Sequence, residues 1–379
     1  MDSHSVRPIT VGTKDRNYNV SRNFMDAPVP GVTYGRRGDL FKIPDYLLYR
    51  MFGHIDPVLH NLEYGSRGFD LLHFFNAASL GNTPWVSTFE TSIPRWADTV
   101  AWGHRFGVKL MARDACRRLI AMCDAARADQ LALLEAHPDL AEKIAAKVTV
   151  LHPPQKPLID APKAGPDGTI RMTIVGKDFF RKGGGEILRA LDRVLEDGLP
   201  FHLTIVSTLE HGDYASKTTE ADVAEAKRVI AKWPDHIAYH YRLPNDQVLD
   251  LFRTSHVGLL PTWGETYGYS VLEAQAAGCP ALTTDLRALP EINDESCGWV
   301  VEMPKTRLRD GVLGTAAERA AFSRQLGEGI EARLREMAAD PASIAAKGAN
   351  AYKRLRTHHD PVTHATRLRE IYDEALRPA

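Results

Sequence analysis

From residue 171 onward, short runs rich in β-branched residues alternate with longer amphipathic ones: RMTIVG, GEILRALDRVLEDG, FHLTIVS, EADVAEAKRVIAKW, HIAYHY, NDQVLDLFRTS and VGLLP. Alternation of this kind predicts parallel strands with helices packed on both faces of the sheet. After SVLEAQAAG, the runs CPALTTD and GWVVEM add strands. TAAERAAFSRQLGEGIEARLREMAAD reads as a long helix, and DPVTHATRLREIYDEAL as one more. The first 150 residues follow the same plan less regularly. PITVGTK, FDLLHFF and PWVSTFE read as strands, and ACRRLIAMCDAARADQLALLEA reads as helical. Between the halves, LHPPQKPLIDAPKAGPDGT is rich in Pro and Gly and lacks periodicity, which marks a linker. The expectation is two α/β domains, residues 1–158 and 159–359, with ligands at the carboxyl ends of the strands.

Length supports that division, because 379 residues exceed the roughly 250–300 that one hydrophobic core serves. The net charge of -1 gives no general reason to expect a nucleic-acid partner. MDSHSVRPITVGTK lacks the apolar centre of a signal peptide, and no run approaches the roughly 18 apolar residues of a membrane span, so a cytoplasmic location is expected. Cys116, Cys123, Cys279 and Cys297 show no metal or redox spacing and read as packing residues.

Two loops carry candidate chemistry. In PTWGETYGYSVLEAQAAGCPAL, a strand leads through a polar, glycine-containing loop into a short helix stopped by Gly278. Ser270 and Glu273 fit S-x-x-E, a capping box that requires no ligand. That reading leaves Glu265 and Gly268 without a role. A helix N-terminus with a glycine beside it is also an anion site, and flanking carboxylates suit the hydroxyls of a sugar diphosphate. The second loop, MTIVGKDFFRKGGGEILRAL, sets Lys177, Arg181 and Lys182 in another glycine-rich turn between strand and helix. It reads either as a solvated basic turn or as a second anion contact. It lacks both the P-loop and the G-x-G-x-x-G spacing.

GETYGYSVLEAQAAGCPALTTDLRALPEI resembles the E-x7-E signature of the retaining glycosyltransferases of family 4. VGKDFFRKGG is similar to their donor-phosphate loop, YRLPNDQVLDLFRTSHVGLLPTWGE to the segment before the signature, and IYDEAL to their closing helix. The resemblance covers most of residues 171–379 and implies the α/β GT-B fold, two Rossmann-like domains with parallel sheets facing across a cleft. It also implies that the helix at about 360–379 packs back on the N-terminal, acceptor-binding domain.

Carried over by position, the resemblance implies that Glu265 contacts the transferred sugar, Glu273 the ribose, and Lys182 the diphosphate. Arg181 and the backbone from Thr266 through Tyr267, Gly268, Tyr269 and Ser270 to Val271 would bind phosphate and sugar, and the backbone at Arg242 and Leu243 would face the base. Lys177 stands where many members carry arginine, so a point charge replaces a fork. No cofactor is implied. The donor is a nucleoside diphosphate sugar, GDP-mannose or a UDP-hexose, and the absence of a D-x-D motif leads to an expectation of no metal.

The first half departs from the family pattern. KDRNYNVSRNF has no glycine where members carry a Gly-Gly loop, and Glu90 lies where many place a histidine beside the sugar. Glu90 reads as a sugar-facing, catalytic residue or as a solvated or capping one, and His73 as an acceptor-facing or a core group. Arg105, Lys109, Arg113 and Arg117 recur every four residues near Trp96, Trp102 and Phe106. If helical, they share one face, either simply solvated or set against an anionic membrane or lipid-phosphate acceptor.

The activity implied is metal-independent transfer of a hexose, with retained configuration, to a glycan or lipid-linked hydroxyl in surface polysaccharide assembly. The alternatives are a nucleotide-sugar epimerase or hydrolase of the same fold, and a non-catalytic nucleotide-sugar-binding subunit.

Overall fold

The structure is a computed structural model that describes residues 7–14, 20–25, 27–38, 40–53, 61–64, 68–95, 101–212 and 214–377. Trp96 and residues 15–19 of the N-terminal loop lie outside the described residues, as does the side chain of Trp102. The chain divides into two compact units, residues 1–154 with 359–379, and residues 155–358.

In the first unit the strands are β1 (Ile9–Thr13), β2 (Val32–Arg36), β3 (Leu62–Glu63), β4 (Leu71–Phe75), β5 (Ala78–Ser79), β6 (Trp85–Phe89), β7 (Cys116–Ala121) and β8 (Val148–Val150). Six of them form one sheet in the order β2-β1-β4-β6-β7-β8, every pairing parallel. β3 and β5 pair separately. Val11, Leu71, Val86 and Ile120 from the sheet pack with Leu368, Ile371 and Tyr372 of the helix Pro361–Ala375. That helix starts at Asp360, whose carboxylate accepts from the Thr363 N–H at 2.8 Å, and its apolar residues recur three and four apart, as one buried stripe requires.

One stretch of this unit differs from its periodicity. Residues 115–136 read as a single helix, but β7 occupies the first part and the helix Asp124–Leu134 the second, with the Cys123 thiol accepting from the Ala126 N–H at their junction. A short apolar run such as LIA has no period of its own. Its place between β6 and β8, where Ser87 pairs with Leu119 and Leu119 with Val148, makes it a strand.

The second unit contains β9 (Ile170–Val175), β10 (Phe201–Val206), β11 (Ile237–His240), β12 (Val257–Leu260), β13 (Ala281–Thr284) and β14 (Gly298–Val301) in the order β11-β10-β9-β12-β13-β14, again all parallel. The chain builds outward from β9 through β10 to β11, then returns to β9's other side with β12. The order therefore reverses between β9 and β12, the position where open α/β sheets bind ligands. The helix Gly184–Glu196 buries Ile187, Leu188, Leu191, Val194 and Leu195 and packs on Ala316–Ala339 and Glu220–Lys232. The helix Tyr269–Ala276 packs instead on Ala342–His358 and Asn245–Thr254.

All four cysteines are free and buried, and burial pushes the Cys116 thiol up to about 12. Among the described residues, no helix is long and apolar enough to cross a membrane, and no three His, Cys, Asp or Glu side chains group as metal ligands.

Candidate active site

The two loops singled out in the sequence leave the carboxyl ends of adjacent strands. Met172 pairs with Val257, Thr173 with Gly258 and Ile174 with Leu259, which sets residues 176–183 beside residues 261–268. Glycine makes the approach possible. Gly183 has φ +81°, and a Cβ there would lie 2.0 Å from the Pro261 carbonyl oxygen. The loops are then tied by hydrogen bonds. The Trp263 N–H donates to the Arg181 carbonyl at 2.8 Å, the Thr262 hydroxyl to the same carbonyl at 3.0 Å, and the Arg181 guanidinium to the Gly264 carbonyl at 2.6 Å.

Lys182, Arg181 and Glu265 meet at this junction. The Lys182 Nζ lies 3.0 Å from Glu265 Oε2 and the Arg181 guanidinium 3.9 Å from the same oxygen, while the Thr266 N–H donates to Oε1 at 3.1 Å. Burial alone would raise the Glu265 carboxyl. The Lys182 and Arg181 charges, with the hydrogen bonds from Lys182 and Thr266, outweigh it and hold the group below the ordinary carboxylate value. Glu265 is therefore an ionised acceptor at neutral pH, and Arg181 is shared between it and Asp178, whose carboxylate lies 2.9 Å from the guanidinium. The aliphatic stem of Lys182 runs against Gly176, where a Cβ would sit 2.1 Å from the lysine Cε.

The helix that follows begins at Tyr269, with Gly268 as its N-cap at φ +100° and no side chain capping it. The expected capping box is therefore absent. Ser270 is the second helical residue and Glu273 the fifth, because the left-handed glycine starts the helix two residues before the serine. Ser270 and Thr266 are half-buried. Tyr267, Val271 and Glu273 are buried, and the rings of Tyr267 and Tyr269 lie 5.5 Å apart. Lys177 is exposed at the end of β9. Arg242 and Leu243 follow β11 on the same edge of the sheet, with the Arg242 guanidinium over the Tyr241 ring at 5.3 Å.

Sequence reasoning missed the residues that hold this loop pair. Ser207 and Thr208, directly after β10, donate to the Lys177 carbonyl at 3.2 and 2.8 Å. The Thr284 hydroxyl donates to the Thr262 carbonyl at 2.9 Å. A hydroxyl residue immediately after a buried strand was the available signal.

In the first unit, Glu90 stands at the end of β6, paired with Arg95 at 2.6 Å and accepting from the Asn76 amide at 3.2 Å. His73 is fully buried. Its Nδ1 lies 2.7 Å from the Tyr372 hydroxyl and its Nε2 2.8 Å from the Thr88 hydroxyl, with the ring stacked on Phe24 at 3.8 Å. Burial, aided by nearby His364, pushes it down to about 3, so the structure makes it a neutral core group rather than an acceptor-facing one. The four-residue basic stripe is also not formed. The helix Ala101–Ala112 carries exposed Arg105 and Lys109, but Arg113 follows its end, with its guanidinium on the Leu80 carbonyl at 2.7 Å, and Arg117 lies on β7.

Residues 169–313 match the family described as Glycosyl transferases group 1. The D-inositol 3-phosphate glycosyltransferase of Streptomyces scabiei (strain 87.22) is 24% identical over 160 residues, 42% of this chain and 36% of that protein. The glycogen synthase of Mycobacterium tuberculosis (strain H37Rv) is 26% identical over 218 residues, 57% of this chain and 44% of that protein. The chain thus spans less than half the length of these curated relatives. Among solved structures, Anabaena HepE in complex with UDP and glucose has a TM-score of 0.58 at 13% identity, covering 96% of this chain and 99% of that one. A glycosyltransferase from Rickettsia africae ESF-5 has a TM-score of 0.60 at 11% identity, covering 99% and 100%. The fold is GT-B, and the part of the chain that matches the group 1 glycosyltransferases lies in the second unit.

Proposed function

From a GT-B fold whose second unit matches the group 1 glycosyltransferases, we infer that this chain transfers a hexose from a nucleoside diphosphate sugar to a hydroxyl of a glycan or lipid-linked acceptor, with retained configuration and without a metal. The observation that carries the reading is the junction of Lys182, Arg181 and Glu265 beside a helix start left uncapped by any side chain. In the bond-breaking step, negative charge grows on the departing phosphate and the sugar becomes oxocarbenium-like. Lys182, Arg181 and the helix N-terminus supply positive charge fixed before the reaction, which stabilises the transition state without reorganisation. Glu265, kept ionised by the same two cations, accepts hydrogen bonds from sugar hydroxyls and complements positive charge at the anomeric centre. Glu273 takes the ribose, and the first unit takes the acceptor.

The test supplies radiolabelled UDP-glucose and GDP-mannose in parallel, with glycan and lipid-linked acceptors and with or without a chelator. Transfer is scored, and the product's anomeric configuration is read by NMR. Lys182→Ala and Glu265→Ala are expected to lose about 10²–10³ in turnover, the usual effect of removing one fixed transition-state contact. Near wild-type turnover in either variant would overturn the reading, and full-rate donor hydrolysis without acceptor would overturn transfer.

A further inference from the structure

A concavity lies in the second unit, residues 155–358, outside the residues assigned to the donor. It has a volume of about 340 Å³ and is formed where the first turns of Gly184–Glu196 and Ala316–Ala339 meet the segment before Glu220–Lys232. Its lining places Arg189, Lys217 and Arg319 around one space, with the hydroxyls of Ser216, Thr218 and Ser323 between them.

The charges are not balanced within the cavity. Arg189 is bound to Glu186 at 2.7 Å, and Asp222 is engaged by Thr219 at 2.7 Å in the capping box of its helix. Lys217 and Arg319 take part in no ion pair among the described residues; Arg319 donates only to the Leu313 carbonyl at 2.7 Å. On the neighbouring helices, by contrast, Arg193, Arg228, Lys232 and Arg335 each hold a carboxylate. Lys217 and Arg319, held by no ion pair among the described residues, line the cavity beside Arg189, whose guanidinium also donates to Ser323 at 3.1 Å; three cations against Glu186 and Asp222 leave one positive charge in excess, which suits a phosphate group. Lys217 also holds a left-handed backbone at φ +46°, a conformation that costs energy for a residue with a side chain. The same lining also holds groups of other character. Glu186 and Asp222 offer acceptor oxygens, and Phe180 and Trp263 an apolar wall, the pairing that recognises a hydroxyl-bearing carbon skeleton.

We propose that this cavity binds a small phosphate ester of a polyol or sugar, with its phosphate on Arg319, Lys217 and Arg189 and its hydroxyls on Glu186 and Asp222. The site uses none of the residues assigned to the donor but shares Phe180 and Trp263 with the two loops. Glu186 accepts from the Trp263 indole N–H at 3.2 Å, and the Trp263 backbone N–H is bound to Arg181.

Isothermal titration of the full chain with glucose 6-phosphate, glucose and inorganic phosphate, each with and without saturating UDP, tests the proposal without reference to transfer activity. Glucose 6-phosphate is expected to bind one to one, about tenfold or more tighter than either fragment and undisplaced by UDP. Arg319→Ala and Lys217→Ala, both partly or fully exposed positions, are expected to fold normally and to weaken it about tenfold each while leaving UDP binding unchanged. Displacement by UDP, equal affinity for inorganic phosphate, unchanged binding in both variants, or no binding at millimolar ligand would each overturn it.

Discussion

Replacing Lys182 by methionine isolates the charge at the loop junction, because the thioether keeps the stem that covers Gly176. At 3.0 Å and an effective dielectric near 20, the attraction between Lys182 and Glu265 is about 5 kcal/mol before desolvation is counted. Breaking a buried pair usually costs about 3–5 kcal/mol, since the remaining charge is left uncompensated. Here Arg181 at 3.9 Å and the Thr266 N–H at 3.1 Å stay with Glu265, so the expected loss falls to about 2 kcal/mol at pH 7.5. The sign of its pH dependence follows from the carboxylate. In the native protein Glu265 titrates below its ordinary value, so its contribution is present at neutral pH and lost as pH falls through the folded value. Without Lys182, burial dominates, the carboxyl rises, and protonation relieves the uncompensated charge. The difference between variant and native protein should therefore shrink as pH falls from 7.5 to about 4.5. Urea denaturation of both proteins at these two pH values measures it, and a double cycle with Glu265→Gln isolates the pair. An equal loss at both pH values, or a coupling below about 0.5 kcal/mol, would show that Lys182 supports the loop by packing alone.

Further outcomes follow from the same geometry. Ser270→Ala should change stability by less than about 0.5 kcal/mol, since the serine caps nothing; a loss near 1 kcal/mol in thermal melts would restore the capping box. Gly268→Ala places a Cβ 2.8 Å from Leu289 Cδ2 on a left-handed backbone, so a loss of about 1–3 kcal/mol with weaker UDP binding is expected, and wild-type values in both would refute the strain. His73 and His364 are pushed down to about 3 and about 4, chiefly by burial, while unfolded histidine protonates near 6.5. The unfolded chain therefore binds more protons across that window, and stability should fall with acidification by about 1.4 kcal/mol per pH unit for each histidine. Denaturation midpoints that stay flat between pH 7 and pH 5 would contradict it.

Local pattern carried much of this protein. Alternating strand and helix periods declared two parallel α/β units, and the glycines, cations and acids of residues 177–182 and 265–273 marked the loops worth reading, because period and backbone permissiveness are properties of neighbours along the chain. Where pattern was silent or double, the fold decided. The LIA run, Leu119 to Ala121, became a strand only through pairing with β6 and β8, and His73 a core group only through Tyr372, which lies 299 residues away. The start of the helix at Gly268 was settled by a left-handed glycine wedged against Leu289 and Ile292, contacts that S-x-x-E does not contain. Above all, Lys182 and Glu265 are 83 residues apart in the chain and meet because β12 returns to the free side of β9. Strand order is a long-range choice, governed by which apolar faces the helices can cover, and no local period encodes it.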